Sequence, residues 1–127
     1  IKKKIKIIKK KKIRTSLFIN PSIKEIKISK EIGTDCVEIH TGKFSNLVKL
    51  KKDAKNDLLK IKKSTILAHK LGIEVHAGHG LTYDTVKPVA SIANIHELNI
   101  GHFLIGESIF SGLEVTIKKM RRLINEA

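Results

Sequence analysis

A single cysteine, a single tyrosine, two prolines and no tryptophan stand among 127 residues. Each shortage excludes something. One cysteine cannot build an internal disulfide framework or a Cys-rich zinc module, which suits a reducing cytosol. Four Phe and one Tyr leave few rings to stack on bases, so basic charge alone is weak support for single-strand nucleic-acid binding. No apolar stretch approaches the ~20 residues that cross a bilayer, and the N-terminal run lacks the continuous apolar centre of a secretory signal. Neither export nor membrane insertion is expected, and the expected location is the cytoplasm. At 41% hydrophobic and 30% charged residues, the chain is too apolar for a disordered tail and too polar for a membrane bundle. One compact domain, or part of one, is expected.

What the chain has in excess is positive charge: 26 Lys plus Arg against 12 Asp plus Glu, a formal +14. The excess is concentrated. The opening run IKKKIKIIKKKKIR holds eight Lys, one Arg and no acid, which leaves 17 basic against 12 acidic residues, or +5, for positions 15–127. Ile1, Ile5 and Ile8 recur at helical spacing, as in a solvated helix packing a narrow apolar stripe over 1–13. A polyanion-binding patch, on nucleic acid or an anionic membrane, and a disordered tail are the alternatives. The first residue is Ile rather than Met, as in a chain that begins partway through a longer protein.

From Thr15 onward, short aliphatic runs alternate with helical patterns. Strands are expected over 15–20, 36–40, 73–77 and 97–100. Between them, Ser22 and Glu25 form a capping box ahead of a helix closed by Gly33. Leu47, Leu50, Ala54, Leu58, Ile61, Thr65 and Ala68 advance in steps of three or four, predicting one long helix that Gly72 ends. Asp84 is placed to cap a helix in which Pro88 is tolerable near the first turn. A last helix aligns Leu113, Ile117, Met120 and Ile124. This order argues for parallel strands joined by right-handed crossovers and buried on both faces. Four βα units suit a small doubly wound sheet or half of an eight-stranded barrel.

The strand ends are the informative regularity. Three finish as Glu38-Ile39-His40-Thr41-Gly42, His76-Ala77-Gly78-His79-Gly80 and Asn99-Ile100-Gly101-His102. In parallel α/β folds the carboxyl ends of the strands open onto the ligand-binding face. Glycines there let backbone N–H groups approach a phosphate, and imidazole exchanges a proton near neutral pH. His79, flanked by glycines in a strand-end loop, has no packing reason to be there. His102 and Glu38 share its argument, with core hydrogen bonding as the rival reading. His69 in a helix and His96 in a loop read as structural, His76 as a hydrogen-bonded strand residue, Cys36 as a small buried one, and His40 stays open. Histidines from three strands with Glu38 would suit zinc or iron, but no HxH or HxxxH pair anchors such a site and the glycines suit phosphate better. Neither metal nor cofactor is expected, and no P-loop or dinucleotide-binding motif is present.

These residues carry a resemblance. The strings EIHTG at 38–42, HAGHGLTY at 76–83 and ELNIGH at 97–102, preceded by SLFI at 16–19, resemble the carboxy-terminal half of the pyridoxine 5'-phosphate synthase family from about Arg14 onward. The resemblance implies the second half, strands five to eight, of a (β/α)8 TIM barrel over 14–127. It implies condensation of 3-amino-1-hydroxyacetone 1-phosphate with 1-deoxy-D-xylulose 5-phosphate to pyridoxine 5'-phosphate, phosphate and water, with no cofactor, in a homo-oligomer, an octamer in the family. His79 would be the proton donor and Glu38 the transition-state stabiliser, while Gly80, Gly101 and His102 would bind the amino-ketone phosphate. The family's first four strands, with its general bases, have no counterpart here, so the 127 residues alone are expected to be incomplete. Glu107 stands where the family leads one to expect a basic residue, and the loop over 43–56 is short. A basic nucleic-acid-binding module and another phosphate-binding barrel enzyme are the alternative functions.

Overall fold

The computed structural model describes residues 1–127. Strands β1 (Ser16–Ile19), β2 (Cys36–His40), β3 (Glu74–Gly78) and β4 (Ile95–Asn99) pair in parallel in chain order, each with the next. Around them run α1 (Lys2–Lys10), α2 (Ile23–Ile32), α3 (Gly42–Lys49), α4 (Lys55–Lys70), α5 (Tyr83–Ala90), α6 (His102–Ser111) and α7 (Leu113–Asn125). A doubly wound sheet requires the strand order to reverse; here every crossover steps the same way, which is the winding of a (β/α) barrel.

Register and alternation divide the sheet into two unlike faces. Leu17, Val37, Val75 and Ile95 align across the strands, as do Ile19, Ile39, Ala77 and Leu98. These aliphatic rows pack against Ile26, Ile61, Ala68 and Val89 from the helices in one core. Residues of opposite parity, among them Phe18, Glu38, His40, His76 and Asn99, point to the other face, and Phe18 there is 57% exposed. The expected burial on both faces is met on one face within these 127 residues; the other is the face that a closed barrel turns inward. Glu38 within CVEIH is not an irregularity in a buried run; it is the polar half of a two-residue alternation.

Several local expectations also change. Ser22 accepts from the Glu25 N–H, but Glu25 turns its carboxylate to the backbone and side-chain N–H groups of Asn20, so the box is only half formed. The long helix expected from Leu47 to Ala68 is two, α3 and α4, separated where Lys51 adopts φ 54° and the Asp53 carboxylate accepts from the Lys55 N–H. Most of the supposed 43–56 loop is thus helical. Thr82, not Asp84, caps α5, through a reciprocal box with Thr85, and Pro88 lies well inside that helix. His96 sits in β4, beside the bulge that shifts the β3–β4 register, and not in a loop. In α7 the buried pair is Thr116 and Met120, while Leu113 and Ile117 are exposed.

At the amino ends of the strands, polar groups hold the layers together. Asp35 accepts from the Thr15 N–H (2.8 Å) and hydroxyl (2.9 Å) and pairs with Lys9 of α1 at 2.8 Å. Lys9 also donates to the Gly33 carbonyl, at the end of α2. This fixes the lysine-rich helix, with Ile5 buried, at the end of the sheet opposite the histidine-rich strand ends. Glu74 pairs with Arg14 and His76, each at 2.8 Å. The hydrogen bonds from Lys9 and Thr15 hold Asp35 down at about 2, and those from Arg14 and His76 hold Glu74 at about 2. Because both folded values lie below the ordinary 3.8 and 4.5, the stability these carboxylates contribute is complete above those values and disappears as pH falls through about 2. In the intact protein, Asp35→Asn should melt at a lower temperature near neutral pH and lose less of its melting temperature than wild type on acidification from about pH 5 to about pH 2. Identical slopes in thermal melts across that range would refute the role of Asp35.

Candidate active site at the carboxyl ends of the strands

At the opposite end, parallel pairing places His40, Gly78 and Asn99 in one row, two residues beyond the row of Glu38, His76 and Glu97. Glu38 does not bond to its lateral neighbour. Its carboxylate reaches across β3 and accepts from the Asn99 side-chain N–H of β4 at 2.7 Å. It crosses directly over Gly78, where a Cβ would stand 2.5 Å from Glu38 Oε1 and 2.8 Å from the Asn99 carbonyl. Glycine at 78 is what leaves room for that carboxylate.

Immediately beyond β2, Thr41 is fully buried. Its N–H donates to the Gly78 carbonyl at 2.8 Å, and its hydroxyl lies 2.7 Å from both the Gly78 and His79 carbonyl oxygens, which share its one proton. Those bonds hold the chain where it turns out of β3 with His79 at φ 76° and Gly80 at φ 75°. Left-handed backbone is costly for a residue with a Cβ and persists where its surroundings impose it. The consequence is an exposed imidazole at the rim instead of one folded into the core.

His79 and Gly80 border two adjoining hollows. One, of about 270 Å³, is bounded by Glu38, Asn99, Gly101 and His102; the other, of about 380 Å³, extends past Asn46, Lys49 and Thr82. Gly101 precedes α6 with no side-chain cap, so the first N–H groups of a ten-residue helix face this region, the arrangement that favours an anion. Glu38, His79, Gly80, Gly101 and His102, singled out from the sequence, thus border one hollow. His40 stacks on His79, with ring centroids 4.6 Å apart, outside that hollow but within the second. His76 bonds to Glu74, and His69 and His96 lie elsewhere, in α4 and β4. No three His, Cys, Asp or Glu side chains gather into a metal-binding group.

Thr41, Gly78 and Asn99 were not foreseen as site residues. The parity that puts Glu38 on the open face also puts Asn99 there, so Asn99 was recoverable from the strand pattern; nothing in spacing marks Thr41 as a clamp. Ser45 was missed for another reason. Its hydroxyl is buried with no hydrogen-bond partner, packed where its Cβ is 3.5 Å from the direction a Gly80 side chain would take.

Parallel strands wound in one direction, with carboxylate, imidazole and helix-start N–H groups at their carboxyl ends, define a (β/α)-barrel protein whose rim is suited to a phosphorylated ligand. The comparisons narrow this. A family model described as pyridoxal phosphate biosynthesis protein PdxJ matches residues 1–126, and the chain belongs to that family. The match begins at the first residue, so it takes in the lysine-rich helix that lies outside the motif resemblance. The chain is 56% identical over 126 residues to the pyridoxine 5'-phosphate synthase of Pelagibacter ubique (strain HTCC1062), covering 99% of this chain and 53% of that protein. It is 50% identical over 115 residues to the synthase of Zymomonas mobilis, covering 91% of this chain and 44% of that one. The chain spans about half the length of the curated relatives it matches. No helix is long and apolar enough to cross a membrane.

Two substitutions test the construction of the site. Thr41→Val removes a hydroxyl serving two carbonyls and should cost about 1–3 kcal/mol of stability, with Thr41→Ser, which keeps it, losing much less. A loss in Thr41→Ser with none in Thr41→Val, measured by denaturant unfolding of the intact protein, would show that the methyl matters and not the hydroxyl. Ser45→Ala removes an unpaired buried group and should leave stability unchanged or raise it by about 1 kcal/mol; a clear loss would mean that the hydroxyl has a partner.

Proposed function

We propose that this chain supplies the proton-donor and phosphate-binding side of a pyridoxine 5'-phosphate synthase, which condenses 3-amino-1-hydroxyacetone 1-phosphate with 1-deoxy-D-xylulose 5-phosphate. The observation that carries the reading is the convergence of Glu38, His79, Gly80, Gly101 and His102 on one hollow in a chain of this family. The chemistry needs what stands there. Loss of water requires a proton on the departing oxygen, and His79 is an exposed imidazole held at the rim by its backbone. Cationic or imine character that develops during the condensation is favoured by a nearby carboxylate, and Glu38 is fixed for that purpose by Asn99. The N–H groups of Gly80, Gly101 and His102 take the amino-ketone phosphate at the start of α6.

The residues that bind the deoxyxylulose phosphate and act as general bases belong to the other half of the barrel. Helix α6 has no buried residue, and Ile105, Ile109 and Phe110 are exposed. An apolar surface of this kind calls for a cover, which the other half of the barrel or a second complete barrel, as in the expected homo-oligomer, would supply. The lysines of α1, at the opposite end of the strands, take no part in the site, and no feature of the rim calls for nucleic acid.

In the complete enzyme, His79→Ala should lower kcat by about 10²–10⁴-fold with the fold retained, and Glu38→Gln should lower kcat more than it raises KM. The check is steady-state product formation beside a thermal melt. Near-normal turnover of a folded His79→Ala enzyme would refute the assignment.

A further inference from the structure

His40 has no part in the phosphate site or the proton transfer proposed for His79, yet the His79 ring lies on it. The centroids are 4.6 Å apart and the planes 26° from parallel. Phe18 of β1 closes the arrangement, edge-on to His40 at 5.1 Å and tilted to His79 at 6.2 Å. Space around the two rings is reserved: a Cβ on Gly42 would stand 2.6 Å from His40 Cε1 and 2.8 Å from His79 Cδ2. Three elements therefore shape a slot for two flat rings, one half-buried and one exposed.

Two imidazolium rings face to face at this distance repel strongly, so the stack accommodates one positive charge far better than two. Burial first, and then the neighbouring His79, push His40 below its ordinary value, with Glu38 acting the other way. The remaining charged groups around His40 do not reverse this. Lys43 and Lys60 flank Asp57 in the hollow on one side, at 3.1 and 3.9 Å, and Lys49 and His102 border the hollow on the other.

We propose that His40 is a positioning residue for His79: its ring is the surface on which the His79 imidazole is held, and the stacked pair accommodates no more than one proton. A second proton would drive the rings apart and release His79 from its orientation, so uptake of that second proton sets the acid limit of the active form. This rests on His79 as proton donor, but the titration of the pair is measured without substrate and stands or falls independently of that assignment.

The test is an NMR titration of the complete enzyme carrying ¹³C-labelled histidine, with kinetics on His40 variants. The expected result is uptake in two separated steps, and a roughly tenfold rise in the proton affinity of His40 in His79→Asn. His40 affinity unchanged in His79→Asn, or both rings taking up their protons in one step, would overturn the proposal. In the kinetic arm, His40→Ala should lose roughly tenfold or more in kcat with KM little changed. His40→Phe, which keeps a flat ring without a charge, should recover at least about threefold of that and move the acid limb of kcat to lower pH. Equal losses in the two variants with an unmoved acid limb would also overturn it.

Discussion

The site depends on the tie between the end of β2 and the end of β3. Thr41, with no exposed surface, gives its N–H to the Gly78 carbonyl and spends its hydroxyl on the carbonyls of Gly78 and His79. Buried carbonyls at a strand end must find donors somewhere, and a chain leaving a sheet has no ladder left to supply them. One side chain meets the need, and by doing so it dictates the direction in which His79 departs. The left-handed turn, the exposed imidazole and its stack on His40 all follow from where those carbonyls are held.

A second economy is visible across the sheet. Glu38 and Asn99 belong to strands that are not neighbours, and they meet because Gly78 between them carries no side chain. The two ends of the strands divide their labour accordingly. At the amino end, Asp35 and Glu74 are paired with cations and hold α1 and the strand starts together. At the carboxyl end, Glu38 is held by a neutral partner, Asn99, and left facing the hollow, so its charge remains available to a ligand.

Much of this was legible in the sequence, for identifiable reasons. The four strands showed as short aliphatic runs closed by Gly, Asn or Pro, and the rim residues showed because histidine beside glycine at a strand end has no packing purpose. What misled was periodicity taken past its range. Leu47, Leu50 and Ala54 keep helical spacing through a segment that is not helical, because Lys51 turns left-handed and the next helix begins only at Lys55, whose N–H donates to the Asp53 carboxylate. A spacing rule sees side chains and not backbone angles. Likewise, Thr82 and Asp84 are both good caps by type, and only the reciprocal bond with Thr85 decides between them. Thr41 and Asn99 act through partners 37 and 61 residues away, a distance at which no local pattern carries information.

The left-handed backbone at His79 has a consequence for how such a protein drifts. Among residues with a side chain, Asn and Asp adopt that conformation most readily, and each is a single base change from a histidine codon. Two of the single-base accidents at this position therefore remove the imidazole and leave the turn, the Thr41 tie and the Glu38–Asn99 bridge undisturbed. Chemistry and architecture are separable here at the cost of one nucleotide, so a lineage released from selection for activity would keep a folded, inert copy of the site long after the reaction had gone.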